Sequence, residues 1–269
     1  MAEAIYQRPA DYDLEHEGDD RDVRFYQRLS RRLCASRVLE LACGSGRVAL
    51  PIASVLSGDQ ALVCGVELAD EMLAEARRKL EEADESVRRR VTLVQGDMRS
   101  WRSLERFDLV VVACSSITHL RSIDDQLALW SNAFDHLEPG GRFVVDITVP
   151  DLSAYAESLR TPPRAVTETD LDQTDPETGE RLIRQRTTRF DLIEQQADIQ
   201  FLYDRFSRDA HVERYVSDFA CHVFFPRELQ LLYRLAGFAM EAVWADYTFQ
   251  PPRAGTREIV LVGRKPATS

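Results

Sequence analysis

The amino-acid sequence predicts an α/β fold: a doubly wound sheet of seven strands, the last of them antiparallel, with an antiparallel β insertion. Two observations carry this prediction. In the first half of the chain, short runs rich in Val, Leu and Ile alternate with helical patterns, as in parallel βαβ units. Between residues 151 and 222, β-type runs alternate polar and apolar residues between turn signals, which is typical of antiparallel hairpins.

The strands of the predicted sheet are nearly continuous apolar runs, because a parallel sheet is covered by helices on both faces. Five of them are predicted at residues 37–41, 61–67, 91–95, 108–113 and 142–147. Helical patterns lie between these runs at residues 47–57, 70–83 and 124–136. The segment from Glu138 to Gly141 reads as a turn before the fifth strand.

The remaining elements complete the predicted domain organisation. An amphipathic helix follows a short leader within residues 11–33, and the insertion holds β-type runs at 181–191, 198–206 and 211–220. A helix at 226–236 precedes two final runs, 238–247 and 258–263, which are close enough to pair as antiparallel strands. The sequence therefore predicts a helical cap (1–34), a sheet domain (35–150 and 223–269) and a β insertion (151–222).

Composition limits the possible partners and ligands. The formal net charge of −11 over 269 residues disfavours a nucleic-acid partner, since a polyanion would be repelled. No apolar run is long enough to predict a membrane span, and no signal peptide is apparent, so a cytoplasmic location is expected. The five cysteines form no CxxC pair, the histidines show no metal-ligand spacing, and no metal is expected. The oligomeric state stays open, a homodimer included.

A glycine turn follows the first predicted strand and indicates a cofactor site. Glycine tolerates positive φ and carries no Cβ, so Gly44 and Gly46 allow close approach of a ligand to the backbone. One interpretation is a dinucleotide turn formed by Gly44, Gly46 and Ala49, with Glu67 on a ribose. That interpretation leaves Glu40, directly before the turn, without a role.

The second interpretation comes from a family resemblance. From Glu40 to Gly46 the chain resembles motif I of class I S-adenosylmethionine-dependent methyltransferases, with Ala42 at the place of the first glycine. Further landmarks follow in family order: Glu67-Leu68, Gly96-Asp97-Met98, Ala113-Cys114-Ser115-Ser116 and Pro139-Gly140-Gly141. The resemblance covers about residues 35–150 and the terminal hairpin, and it implies a Rossmann-like fold with S-adenosylmethionine as the cofactor.

The resemblance also implies site residues. Glu67 would bind the ribose hydroxyls, Asp97 the adenine amino group, and Leu68 and Met98 the faces of the adenine ring. Structural alternatives stay open, since Glu67 and Asp97 could cap turns. Met72 could simply belong to the core. The cofactor-binding residues expected in this way are Tyr12, Glu40, Ala42, Gly44, Gly46, Arg47, Glu67, Leu68, Met72, Gly96, Asp97, Met98, Ala113 and Cys114.

One branch of the family is more similar than the rest: small-molecule methyltransferases with a β insertion, such as sugar N,N-dimethyltransferases and glycine N-methyltransferase. Tyr12-Asp13, the segment 114–120 and the insertion itself carry this similarity. It implies that Tyr12 closes over the cofactor, that the insertion is a substrate lid, and that nitrogen accepts the methyl group. His119 is the candidate catalytic base, with substrate orientation as its alternative, and the expected substrate contacts are Ser116, Tyr203 and His211.

The leading hypothesis is methyl transfer to a small-molecule acceptor, first of all a nitrogen, by in-line displacement in secondary metabolism. An amine needs only to be unprotonated, whereas an oxygen or carbon acceptor, the first alternative, would use His119 as a base. An NAD-dependent oxidoreductase is the alternative from another class. A protein that binds the cofactor without turnover is the third hypothesis.

Overall fold

The computed structural model describes residues 4–160, 164–209 and 211–267. The chain divides into two compact units. The α/β unit comprises Arg21–Val149 and Phe224–Ser269, and the β unit comprises Met1–Asp20 and Pro150–Val223. The sequence analysis places the corresponding boundaries at 34/35, 150/151 and 222/223, so the two divisions differ chiefly at the N-terminal segment.

The helices are short to medium in length, and two 3-10 turns accompany them at Ala4–Gln7 and Ser116–His119. In chain order the α-helices are α1 (Pro9–Glu15), α2 (Arg21–Arg32), α3 (Ala49–Val55), α4 (Asp70–Glu82), α5 (Glu85–Arg88), α6 (Ile123–His136), α7 (Leu152–Tyr155) and α8 (Pro226–Leu235). The strands are β1 (Arg37–Leu41), β2 (Leu62–Glu67), β3 (Val91–Gln95), β4 (Phe107–Val112), β5 (Leu137–Thr148), β6 (Val166–Thr174), β7 (Arg181–Asp191), β8 (Gln196–Phe206), β9 (Val212–His222), β10 (Ala239–Ala245) and β11 (Glu258–Arg264).

The α/β unit is built on a seven-stranded sheet with the order β10-β11-β5-β4-β1-β2-β3. Strands β1 to β5 pair in parallel, and β11 runs antiparallel to both of its neighbours, β5 and β10. The predicted fold class is therefore confirmed. Strand β1 lies between β2 and β4, so β2 and β3 extend the sheet to one side of β1, and β4 and β5 extend it to the other. The strand order reverses at this point. Ligands bind at such a point in open α/β sheets.

Helix α2 belongs to the core of the α/β unit. Its residues Phe25, Tyr26 and Leu29 are fully buried and share a hydrophobic cluster with Val38 of β1 and Ile52 of α3. The expected cap over residues 1–34 is therefore corrected. Of these 34 residues, the first twenty lie outside the α/β unit and the rest lie in it, because the apolar face of α2 packs within the same core as the sheet.

The β unit contains a four-stranded antiparallel sheet with the order β6-β7-β8-β9. Three of these strands were predicted, but β6 was not, because Val166–Thr174 is a mostly polar stretch with little apolar periodicity. Ion pairs with β7 accompany this edge strand. Arg181 pairs with Asp172 at 2.5 Å, Arg184 pairs with Asp170 at 2.9 Å, and Arg186 pairs with Glu168.

Two carboxylates of α1, one buried and one mostly buried, bond to the sheet of the β unit. Asp11 is 1% exposed and accepts a hydrogen bond from the hydroxyl of Tyr215 at 2.8 Å. Glu15 accepts hydrogen bonds from the hydroxyl of Tyr203 and from Arg184, both at 2.6 Å. These contacts explain why the first residues of the chain group with the insertion and not with α2.

Two element boundaries differ from the prediction at glycines. Helix α3 begins at Ala49 instead of residue 47, because the turn that contains Gly46 (φ 78°) continues through Val48. Strand β5 begins at Leu137, upstream of the predicted turn. Gly140 (φ 85°) lies inside this strand beside a shift of register with β4, so the segment is an irregular strand and not a separate turn.

Candidate functional site

The glycine turn leaves β1 at the carboxyl edge of the sheet in a left-handed conformation. The φ angles are 60° at Ala42, 55° at Gly44 and 78° at Gly46. The family motif has glycine at all three places, and the structure shows why, since each place lies in the region that residues with a Cβ rarely adopt. Met72 of α4 is buried beneath the turn, where its Cε would lie 3.4 Å from a Cβ on Gly44. It is a core residue that supports the turn.

The carboxylate of Glu67 connects the end of β2 to this turn. One oxygen accepts a hydrogen bond from the backbone N–H of Gly44 at 2.8 Å. The other accepts from the N–H groups of Leu68 at 2.9 Å and Ala69 at 2.8 Å. Glu67, which was predicted to bind the ribose hydroxyls, therefore organises the backbone of the loops by accepting their N–H groups. This is the capping role that the sequence analysis leaves open as the alternative. A carboxylate has about four acceptor positions, so one remains for a ligand hydroxyl.

Glu40 is buried with an unpaired oxygen. The residue is 2% exposed, and its Oε2 atom makes no hydrogen bond. Burial raises the pKa of this carboxyl well above its ordinary value, against the opposing effect of Arg47, while Asp22, Glu67 and Asp146 reinforce the rise. A buried carboxylate that lacks a partner is costly, and a cationic ligand would compensate it.

Arg47 forms an ion pair beside the turn. Its guanidinium contacts the carboxylate of Asp22 of α2 and lies 2.8 Å from the Sγ atom of Cys114. The Cys114 thiol in turn lies 3.4 Å from Asp22, and burial raises its pKa well above the ordinary value. The sequence analysis expects Arg47 to bind the cofactor, and a neighbouring acid is the other partner open to an arginine at this place. The structure gives it the acid.

The loop after β4 brings Ala113, Cys114, Ser116 and His119 to the same carboxyl edge. Ser116 donates its hydroxyl hydrogen bond to the carbonyl of Ala113 at 2.7 Å, so that hydroxyl is already engaged within the loop. His119 closes the 3-10 turn and is partly buried. Burial lowers its pKa to about 4, so the imidazole is neutral at physiological pH.

Asp146 and Tyr26 complete the site, and the sequence analysis missed both as site residues. Asp146 lies near the end of β5 and is fully buried. Its carboxylate accepts hydrogen bonds from the N–H of Ser115 at 2.7 Å, the N–H of Cys114 at 3.1 Å and the hydroxyl of Tyr26 at 2.5 Å. An acid in the apolar run from Phe143 to Ile147 was the available signal, because an acid in a buried strand requires partners.

Asp97, which was predicted to bind the adenine amino group, forms an ion pair with a neighbouring side chain. Its carboxylate pairs with Arg99 at 2.5 Å and accepts the backbone N–H of Arg99 at 2.8 Å. These hydrogen bonds lower the pKa of Asp97. Gly96 precedes it without room for a Cβ, which would lie 2.7 Å from Trp101. Leu68 is 61% exposed after β2, whereas Met98 packs partly against the core.

Three of the residues predicted to contact the cofactor or the substrate belong to the β unit. Tyr12 of α1 packs beside Tyr6 and His16, with ring centroids 6.1 and 4.7 Å apart. Tyr203 is fully buried, and its hydroxyl donates to Glu15. This placement gives Tyr203 a structural role in place of the expected substrate contact. His211 is exposed directly before β9, and its carbonyl accepts the N–H of Ser207.

The residues of the α/β unit fit the cofactor that the resemblance implies. S-adenosylmethionine carries a sulfonium and an ammonium, and both cations suit a site that contains the unpaired Glu40 together with Asp22, Glu67 and Asp146. A pyrophosphate would meet repulsion from the same carboxylates. Within the described ranges, no three His, Cys, Asp or Glu side chains are arranged to hold a metal.

Comparison with known proteins agrees with this geometry. Residues 38–141 match the family model described as a methyltransferase domain. The chain is 38% identical over 117 residues to a dTDP-3-amino-3,4,6-trideoxy-alpha-D-glucopyranose N,N-dimethyltransferase of Streptomyces venezuelae. This match covers 44% of each protein. It is 30% identical over 112 residues to a dTDP-4-amino-2,3,4,6-tetradeoxy-D-glucose N,N-dimethyltransferase of Saccharopolyspora spinosa, which covers 42% of this chain and 40% of that protein. The chain thus spans less than half the length of either sugar enzyme.

The similarity in structure extends further along the chain. The CcbJ methyltransferase from Streptomyces caelestis superimposes with a TM-score of 0.74 at 26% identity. That superposition covers 92% of this chain and 97% of the other. Among the residues that the structure describes, no helix is both long and apolar enough to cross a membrane.

Proposed function

Because the chain is a class I S-adenosylmethionine-dependent methyltransferase, we propose that it methylates an amine nitrogen of a small molecule, with nucleotide-linked amino sugars as the first acceptors to test. The observation that carries the proposal is the buried, unpaired carboxylate oxygen of Glu40 beside the glycine turn. It provides a counter-charge for a cationic methyl donor. The amine acceptor is supported by the sugar N,N-dimethyltransferases that the chain resembles.

The electrostatics of His119 also support a nitrogen acceptor. A neutral amine attacks an activated methyl group without a base, whereas a hydroxyl or carbon acid usually requires one. General bases work best when their pKa lies near the working pH. The pKa of His119, lowered to about 4 by burial, is far below that range. His119 is thus poorly suited to proton abstraction and better suited to contact with the acceptor as a neutral imidazole.

The residues of the α/β unit divide the remaining work. S-adenosylmethionine supplies a methyl group that its sulfonium activates. Glu40 would hold the ammonium of the cofactor, Glu67 a ribose hydroxyl, and exposed Leu68 a face of the adenine ring. The loop after β4 would orient the acceptor for in-line attack, since alignment and exclusion of water are the main tasks of such an enzyme. The lid function of the β unit and the role of Tyr12 stay predictions.

A panel of acceptors tests the proposal. Purified protein with S-adenosylmethionine is incubated separately with dTDP-linked 3-amino and 4-amino sugars, simple amines, phenols and carbon acids, and products are measured by mass spectrometry. We expect transfer of one or two methyl groups to an amino sugar or a related amine. Methylation confined to phenols or carbon acids would contradict the nitrogen assignment.

His119→Ala provides the control on the acceptor atom. If the acceptor is nitrogen, loss of the imidazole removes a contact and not a base, so the shape of the pH–rate profile stays the same. If the acceptor needs a base, the variant loses on the order of 100- to 10,000-fold in rate, as general bases contribute. A loss of that size would favour an oxygen or carbon acceptor.

A further inference from the structure

Asp146 occupies a position that connects three elements at the carboxyl edge of the sheet. It lies near the end of β5 with no exposed surface. Oδ1 accepts the N–H of Ser115 at 2.7 Å, and Oδ2 accepts the N–H of Cys114 at 3.1 Å. Oδ2 also accepts the hydroxyl hydrogen bond of Tyr26 of α2 at 2.5 Å. The carboxylate therefore holds two successive backbone N–H groups and a helix together.

The loop that Asp146 binds has an unfavourable backbone conformation. Cys114 and Ser115 both have φ near 55°, and neither is glycine. Residues with a Cβ persist in this region only where their surroundings fix them. The Ser115 hydroxyl adds one more restraint, because it accepts the N–H of Thr148 at 3.2 Å. The 3-10 turn that ends at His119 follows directly, so the loop conformation determines where Ser116 and His119 lie.

We propose that Asp146 and Tyr26 are positioning residues for methyl transfer, which act by fixing residues 113–119 and not by contact with cofactor or acceptor. This inference rests on the proposed function. It assigns the loop conformation to one ionised carboxylate and one tyrosine hydroxyl. Neither residue belongs to the motifs from which the sequence predicts a site.

Most titratable groups around Asp146 are weak acids, three tyrosine hydroxyls and a thiol, that are uncharged at neutral pH. The titratable side chains that act on it or respond to it come from several elements: Asp22 and Tyr26 of α2, Glu40 of β1, Cys114, Tyr233 of α8, and Tyr247 after β10. Arg47 contacts both Asp22 and Cys114, so this group also includes a cation. The ionisation of Asp146 is therefore sensitive to each hydrogen bond that it accepts.

The pH dependence follows from this environment. Burial raises the pKa of Asp146 to about 6, while the hydrogen bond from Tyr26 and those from the loop oppose the rise. As the pH falls through 6, the carboxyl gains a proton and loses part of its capacity to accept the two loop N–H groups. The loop should then loosen and turnover should fall.

This loss is separable from unfolding. The ordinary pKa of an Asp in an unfolded chain is about 3.9. Between pH 6 and pH 4 the folded state therefore binds more protons at this residue, and its contribution to the free energy of unfolding increases as the pH falls. A decline in activity through pH 6 that depends on Asp146 cannot come from this group destabilising the fold.

Asp146→Asn tests the proposal, because the amide keeps the size of the side chain but can accept at only one oxygen. We expect kcat to fall on the order of 10- to 100-fold, as misplacement of reacting groups does. We also expect the peptide containing residues 113–119 to exchange its amide hydrogens faster than in the wild type. Both quantities should lose the inflection near pH 6 that we expect for the wild-type protein.

Tyr26→Phe is a milder second variant that leaves both loop N–H groups bonded. Since the tyrosine hydrogen bond lowers the pKa of Asp146, its removal should move the acid limb of kcat and of loop exchange to higher pH. A merely structural role for Tyr26 would leave the position of that limb unchanged. This variant keeps the proposal testable should Asp146→Asn fail to fold.

Asp108→Asn is the matched control. Asp108 also accepts two successive backbone N–H groups, of Ser36 at 2.8 Å and Arg37 at 2.9 Å, but it lies near the start of β4 at the opposite edge of the sheet. This variant should lower stability without changing loop exchange or the pH profile.

The hydrogen-exchange measurement needs no acceptor, so it separates this inference from the proposed function. If no acceptor is methylated but loop exchange responds to pH and to both variants, only the proposed function fails. The inference itself is overturned if Asp146→Asn matches the wild type in loop exchange and kcat. It is equally overturned if Tyr26→Phe leaves the acid limb in place.

Discussion

Ala42 adopts a backbone conformation that its own Cβ methyl group disfavours. Its φ of 60° lies in the left-handed region, where a residue with a Cβ is disfavoured by roughly 1–2 kcal/mol relative to a right-handed conformation. The glycine turn nevertheless keeps its shape, because the carboxylate of Glu67 bonds the N–H of Gly44 and buried Met72 supports the turn. The chain thus retains a strained residue where its relatives' motif has glycine.

Ala42→Gly should therefore stabilise the protein. Relief of the left-handed conformation outweighs the extra freedom that glycine gains in the unfolded chain, about 0.5–1 kcal/mol, so we expect a net gain of up to about 1.5 kcal/mol. Ala74→Gly, at an exposed position in α4, is the matched control and should lose about 1 kcal/mol. Denaturant unfolding of both variants measures the difference. Equal losses at the two positions would refute the strain assignment.

At the scale of single residues, the sequence predicted those whose motif position is local. Glu40, Gly44 and Glu67 were placed at the carboxyl edge by strand ends and turn signals, and the structure brings them together there. Asp22, Tyr26 and Asp146 could not be found this way, because their partners lie 25 to 120 positions away in the chain. Tyr203 was assigned to a substrate contact for a related reason, since its bond to Glu15 spans 188 positions.

Secondary-structure elements were predicted best where the apolar pattern alone decides them. Strands β1 and β3 match the predicted bounds residue for residue, since their runs are mostly apolar, and the bounds of β7 match as well. Strand β6 was missed because cross-strand ion pairs accompany it in place of apolar periodicity. The start of β5 was missed because Pro139 and Gly140 read as a turn in isolation.

Helix α1 offers a prediction at the scale of elements. Glu15→Gln leaves the hydroxyl of Tyr203 without its carboxylate in a mostly buried position, and leaves Arg184 with Asp170 as its remaining carboxylate partner. Hydrogen bonds to a charged group contribute about 1.5–3 kcal/mol, so the local stability of α1 should fall by that amount. Native-state hydrogen exchange of the α1 amides measures this.

Glu213→Gln is the control for this variant, since Glu213 forms an ion pair with Arg8 at the surface of the same unit. Water screens such pairs, so the α1 amides should exchange as in the wild type. If both variants accelerate exchange equally, burial of the Glu15 pair does not determine the stability of α1.

At the scale of the whole molecule, the alternation of strands and helices predicted the parallel part of the seven-stranded sheet, and the closeness of the two final runs predicted its antiparallel last strand. The division into units was harder to predict. Residues 1–20 and the insertion lie far apart in the sequence. Asp11 and Glu15 join them, and no local pattern distinguishes these two residues from surface acids. Most of the predicted cofactor residues of the α/β unit lie at or just after the carboxyl ends of its parallel strands.

The central claim is that the glycine turn and Glu40 hold the amino-acid part of S-adenosylmethionine. Calorimetric titration of S-adenosylhomocysteine, which carries the same ammonium, into wild-type protein and Glu40→Gln tests this claim most directly. We expect one site in the wild type and a Kd that rises roughly 10- to 150-fold in the variant, the equivalent of about 1.5–3 kcal/mol for a hydrogen bond to a charge. Absence of binding to the wild-type protein, or equal affinity in the two proteins, would contradict the claim.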